Sequence, residues 1–83
     1  MTTDLDAEIR QVLSDQARLA VDVNSLDVDD DLFRAGMSSH ASVNVMLALE
    51  DRFEIEFPDS MLTRGVFESI SAIGTAVGEL RGA

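Results

Sequence analysis

The sequence predicts an all-α fold, a small four-helix bundle of three main helices plus a short one, with a long loop between the first and second helices. Three observations lead there. Apolar residues recur at three- and four-residue steps in separate segments, the period of a helix with one buried face. The only alternating stretch, Glu54-Ile55-Glu56-Phe57, is too short to build a sheet. The chain of 83 residues has no internal repeat and no linker-like break, so residues 1–83 are expected to form a single domain.

The first helix is expected from about Asp4 to Leu19, where Leu5, Ile9, Val12, Leu13 and Ala17 fall on one face. Thr3 with Asp6 three residues on resembles a capping box, and the early acids suit the positive end of the helix dipole. Ala20 to Ala35 has no clean period and reads as a long loop, pinned by Val23, Leu26, Leu32 and Phe33. Loops of this length are uncommon in compact domains and often functional. Gly36 ends the loop, and a second helix is expected from Ser38 or Ser39 to Phe53.

At about 100° per residue, Val43, Val45, Met46, Leu47, Leu49 and Phe53 fill an apolar arc of about 200° on that helix. His40, Ala41, Asn44, Ala48, Asp51 and Arg52 fill the opposite arc. An arc this wide predicts a central helix with more than one neighbour. Glu50 lies inside it without an explanation in the pattern. Pro58 closes the following link, Asp59 to Thr63 has room for a short helical turn, and Arg64-Gly65 reads as a break. The last helix is expected from about Ser69 to Leu80, with Ile70, Ile73, Val77 and Leu80 inward. Gly74 and Gly78 weaken it by about 1 kcal/mol each relative to alanine if interior.

Composition narrows the function. Asp and Glu number 16 against six basic residues, all arginine, for a net charge of −10. Such a chain repels phosphate backbones and anionic membranes, so neither nucleic acid nor membrane is an expected partner. Without lysine there is no Schiff-base or P-loop nucleotide chemistry. Without cysteine there is no disulfide, thiolate metal site or thiol catalysis. Disordered acidic chains are poor in apolar residues, whereas this one is 46% hydrophobic and can form a small core. The first residues lack the pattern of a signal peptide, and no apolar run approaches the ~20 residues of a membrane span. A cytoplasmic protein, monomeric on its own, is expected.

Three motifs carry little. Asp27, Asp29 and Asp31 imitate the start of a calcium loop, but the positions that need glycine and glutamate hold Leu32 and Ser38, so a solvated acidic loop is the reading. Ser39 and His40 evoke a serine hydrolase, yet adjacent helical residues diverge by about 100° and there is no second histidine. No catalytic or metal residues are assigned. Gly74 to Gly78 has GxxxG spacing without a membrane span to give it meaning.

The segment Asp31-Leu32-Phe33-Arg34-Ala35-Gly36-Met37-Ser38-Ser39 is more informative. It anchors a loop, turns at Gly36 and delivers two serines to a helix start. One serine suffices for an N-cap, which leaves one free. A helix N-terminus also stabilises a phosphate through its free amides and dipole.

The wider pattern resembles the acyl and peptidyl carrier protein family. It reads Asp31-Leu32-Phe33, Gly36, Ser38, Ser39, then Ala48-Leu49-Glu50 and Phe53 in the family register. Ile55-Glu56-Phe57-Pro58 looks like the Ile-Glu-Ile-Pro of acyl carriers. Val66-Phe67-Glu68-Ser69-Ile70-Ser71-Ala72-Ile73 is similar to the ending of peptidyl carriers. The resemblance covers about residues 26 to 80. It implies a carrier rather than an enzyme, with 4'-phosphopantetheine from coenzyme A attached to Ser39 by a phosphopantetheinyl transferase and flanked by Gly36, Met37, Ser38 and His40. The family spacing selects Ser39 over Ser38. The arm's thiol would hold an acyl or aminoacyl group, which accounts for the missing cysteine.

Departures from the family pattern point to the partner. Ser38 stands where aspartate is usual, His40 where leucine is, and Ala41 and Asn44 where fatty-acid carriers are commonly acidic. The expected partner face is His40, Ala41, Asn44 and Asp51 with Asp29, Asp30 and Asp31 from the loop. These departures suit a stand-alone carrier served by an amino acid:carrier protein ligase, which looks like a truncated seryl-tRNA synthetase, followed by a downstream acyl-transfer enzyme. The alternatives are a fatty-acid or polyketide carrier loaded by an acyl ligase, and an unmodified acidic adaptor.

Overall fold

Four helices and two single 3-10 turns follow one another: α1 (Thr3–Gln16), a turn at Val23–Ser25, α2 (Ser39–Phe53), a turn at Asp59–Met61, α3 (Arg64–Phe67) and α4 (Ile70–Gly82). This computed structural model describes the backbone of residues 3–82 and the side chains of residues 5–82. The expected Thr3 cap therefore lies outside the described side chains. No strand occurs among the described residues.

The helix α1 buries Ile9, Val12 and Leu13, as its period predicts, and packs against both α2 and α4. It stops three residues earlier than its apolar pattern, because Arg18 adopts a left-handed backbone with φ 53°. That conformation turns the chain out of the helix while Ala17 stays buried and Leu19 partly so. Arg10 then ties α1 to the loop. Its guanidinium donates to the Val23 carbonyl at 2.7 Å and pairs with Asp6 at 3.1 Å.

The long loop is ordered by its own backbone. Ala20 N–H donates to the Ala35 carbonyl at 3.2 Å, closing the loop at its base. Gly36 sits at that base with φ 120°, and a Cβ there would lie 3.2 Å from the Ala20 nitrogen. Glycine is required twice over, by conformation and by space. Two further bonds reach across the molecule: Leu32 N–H to the Glu68 carbonyl at 2.7 Å, and Ser71 N–H to the Val28 carbonyl at 2.8 Å. With Val23 and Leu32 buried and Leu26 and Phe33 partly so, the four predicted anchors all pack on the core.

On α2 the buried stripe is Ala41, Val45, Leu49 and Phe53, one residue every four. This corrects the sequence reading at both edges. Ala41, expected on the partner face, is 7% exposed, whereas Val43 and Leu47, expected in the core, are 49% and 52% exposed. The helix does meet two neighbours, α1 and α4, but both lie on one side, so a single stripe serves them. Leu49 is fully buried, and truncating such a residue to alanine costs about 2–5 kcal/mol.

Glu50 now has an explanation. Its carboxylate accepts from Phe57 N–H at 2.9 Å, while its carbonyl accepts from Ile55 N–H at 3.1 Å. One residue thus folds the Glu54 to Pro58 link back onto α2, and Phe57 is buried edge-to-face on Phe67 with ring centroids 5.3 Å apart. The expected break at Arg64-Gly65 is instead the start of α3, whose four residues tolerate the glycine because Phe67 anchors the turn. Ser69 precedes α4 and accepts from Ala72 N–H at 3.0 Å, as an N-cap does. Ile70, Ile73, Ala76 and Val77 face the core, and Gly74 and Gly78 are interior to the helix, the condition under which each weakens it.

Candidate functional site

The two serines at the start of α2 divide the work. Ser38 is the N-cap: its backbone is extended (φ −81°, ψ 165°) and its Oγ accepts from Ala41 N–H at 3.0 Å. Ser39 is the first helical residue and is exposed. Its carbonyl accepts from Ser42 Oγ at 2.6 Å, but no hydrogen bond among the described residues engages its own Oγ. The amides of Ser39 and His40 come before the first intrahelical acceptor and are free to bind an anion. The first turn of α2 carries no acidic residue to neutralise the dipole. The result is an exposed hydroxyl, held at a fixed place, in surroundings that favour added negative charge.

Its flanks are positioned from the loop. Met37 is buried and its N–H donates to the Leu32 carbonyl at 3.0 Å, so the residue two before Ser39 is locked to the core. Asp31 serves the same turn by accepting from Phe33 N–H at 2.9 Å. Asp30 accepts from Asp27 N–H at 2.9 Å. Those two carboxylates of the predicted docking run therefore shape the loop, while Asp29 makes no such bond among the described residues. No cluster of metal-ligating side chains occurs there or elsewhere among the described residues. His40 is exposed and shares no hydrogen bond with Ser39 among the described residues, so no nucleophile–base pair is formed.

Beside Ser39 opens a groove of about 290 Å³, lined by Phe33, Ser39, Ser42, Val43, Met46, Leu62, Thr63, Arg64 and Phe67. Its walls come from the loop, α2 and the segment through α3. On a helical wheel of about 100° per residue, exposed Val43 lines the edge of this groove and exposed Leu47 lies between it and the side that carries His40, Asn44 and Asp51. Asn44 is half-buried and Asp51 exposed. Sequence reasoning missed Val43, Leu47, Leu62 and Arg64 as site residues. The signal was the width of the apolar arc on α2, more than its neighbours could cover.

A family model described as a phosphopantetheine attachment site matches residues 7–77, the whole span from α1 into α4. The chain belongs to this carrier-protein family. Its members carry 4'-phosphopantetheine and are carriers rather than enzymes, as the sequence resemblance implied. An aminoacyl carrier protein from Agrobacterium fabrum is 44% identical over 73 residues, which are 88% of either chain. A chain in the crystal structure of an engineered Bradyrhizobium japonicum glycine:[carrier protein] ligase, complexed with a carrier protein from Agrobacterium tumefaciens and ATP, superposes with a TM-score of 0.87. It is 43% identical, and the match covers 90% of this carrier and 97% of that chain. A solution structure from Agrobacterium tumefaciens gives a TM-score of 0.71 at 43% identity, over 89% of each chain. The site of this carrier fits the prosthetic group: an exposed hydroxyl for the bond, free amides for the phosphate and a groove beside it for the arm. No helix among its described residues is long and apolar enough to cross a membrane.

Proposed function

We propose that Ser39 Oγ carries the 4'-phosphopantetheine and that the carrier displays an amino acid loaded by a dedicated amino acid:carrier protein ligase. The observation that supports Ser39 is the division between the serines, since the cap bond occupies Ser38 Oγ and leaves Ser39 Oγ unengaged. When bound, the arm supplies a thiol able to hold an acyl or aminoacyl group as a thioester. The protein's own contribution is positional. Ser38 fixes the first turn of α2, the Leu32–Met37 bond fixes the approach to it, and the exposed hydroxyl is offered to a phosphopantetheinyl transferase.

The aminoacyl reading draws on the 44% identical aminoacyl carrier protein and on the ligase complex whose carrier superposes at TM-score 0.87. It also draws on the partner face. Around Ser39 the exposed residues of α2 are His40, Val43 and Leu47, with Asn44 half-buried beside them, and the first exposed carboxylate along the helix is Asp51. An apolar, lightly charged face suits a partner that docks by surface burial rather than by a basic patch. The cytoplasm is the proposed location.

Incubation with coenzyme A and a transferase tests the first step: intact mass rises by one phosphopantetheinyl group, and Ser39→Ala abolishes the rise. No gain on the wild-type protein would make it an unmodified adaptor. The holo-protein is then offered to a glycine:[carrier protein] ligase with ATP and to a fatty acyl ligase. Aminoacylation without fatty acylation is the expected result, and the reverse would make it a fatty-acid carrier.

A further inference from the structure

We infer that Arg64 is the counter-ion and positioning residue for the phosphodiester carried on Ser39, an inference that rests on Ser39 being the attachment point. The argument begins with the six arginines of a chain whose net charge is −10. Two of them have a carboxylate partner among the described residues. Arg10 pairs with Asp6 and Arg52 with Glu8, both at 3.1 Å. Arg81 stacks over Phe53 at 5.3 Å, and Arg18 and Arg34 are exposed and outside the groove.

Arg64 is different. No carboxylate among the described residues pairs with it, and its guanidinium carbon lies 4.1 Å from the centre of the Phe33 ring. Both Arg64 and Phe33 line the groove that Ser39 also lines. The guanidinium carbon sits over the ring, and no hydrogen bond among the described residues engages the guanidinium N–H groups. An exposed cation that lines the same groove as the attachment hydroxyl, with no acceptor for its donors among the described residues, is suited to an oxyanion, and the fork of a guanidinium matches phosphate oxygens. The anion that arrives beside Ser39 is the phosphodiester. Arg64 draws the root of the arm toward the groove, and Phe33 holds Arg64 where it can do so.

Intact mass first establishes that one arm is attached and that Ser39→Ala receives none. A failure here overturns the attachment reading and this inference with it. On the holo-protein, the phosphorus resonance and the arginine Nε–Hε cross-peaks are then recorded at low and high salt. The Arg64 cross-peak is expected to move between apo and holo forms. The phosphorus resonance is expected to move in holo Arg64→Met, which keeps an apolar stem on the ring. Both differences should shrink as salt rises. Phe33→Leu, which leaves the cation unheld, should give a smaller apo-to-holo movement of Arg64. An Arg64 cross-peak identical in apo and holo forms, or a phosphorus resonance unchanged by Arg64→Met, would overturn the inference while leaving Ser39 as the attachment point.

Discussion

Ser38 and Ser39 are neighbours of the same residue type, yet the structure gives them opposite mutational signatures. Ser38→Ala removes the acceptor of Ala41 N–H, a bond of 3.0 Å. Loss of a serine cap costs about 0.5–2 kcal/mol, typically ~1. Here the freed amide belongs to a residue only 7% exposed, where water replaces the lost acceptor poorly, so the upper half of that range is expected. In a domain of this size, each kcal/mol lowers the melting temperature by roughly 4–8 °C. Ser39→Ala, by contrast, removes a hydroxyl that no described group engages and installs a good helix former, so stability should change by no more than about 0.5 kcal/mol. Urea and thermal denaturation of the two apo-variants measure the first quantity, and intact mass after transferase treatment measures the second. Ser38→Ala should be the less stable variant and still accept one arm. Ser39→Ala should keep its stability and accept none. Equal destabilisation of the two, or loss of attachment in Ser38→Ala, would refute the division of roles.

Further predictions concern the rest of the bundle. Gly78→Ala should stabilise the protein by up to about 1 kcal/mol in urea denaturation, because the position is interior to α4 and its Cβ meets nothing within 4 Å. Glu50→Ala should cost about 1.5–3 kcal/mol by the same measurement, since it strips a charged acceptor from Phe57 N–H, and Glu50→Gln should cost less. Raising ionic strength from a low value should raise the melting temperature by screening the self-repulsion of a −10 chain. Val43→Asp and Leu47→Asp should leave stability within about 0.5 kcal/mol, because both side chains are half exposed, while slowing aminoacylation by the ligase.

The helices were legible because their inward faces repeat: Ile9, Val12 and Leu13 in α1, and Ile70, Ile73 and Val77 in α4, are buried where the period places them. The loop anchors and Gly36 were legible for the same reason, an apolar or achiral residue in an otherwise polar run. The face of α2 was misread because hydrophobicity records what a side chain prefers, not whether a neighbour is there to cover it. Ala41 is small enough to be scored as neutral and is buried, whereas Val43 and Leu47 are scored as core and stand at the surface beside the groove. Glu50 and Arg10 were opaque because their partners are backbone groups, Phe57 N–H and the Val23 carbonyl, which no side-chain pattern announces. The start of α3 at Arg64 was hidden by Gly65, whose poor propensity is outweighed by the burial of Phe67.

The bonds from Leu32 to Glu68 and from Ser71 to Val28 also set an order of events during synthesis. A nascent chain that ends before residue 68 already contains Ser39 and can close the loop at its base, but Leu32 N–H lacks its Glu68 acceptor and Val28 its Ser71 donor. The approach to the serine is finished only when the start of α4 has left the ribosome and docked. Recognition of the shaped loop would thus distinguish whole molecules from truncated ones, since a fragment broken between α2 and α4 contains the same serine in an unfinished setting.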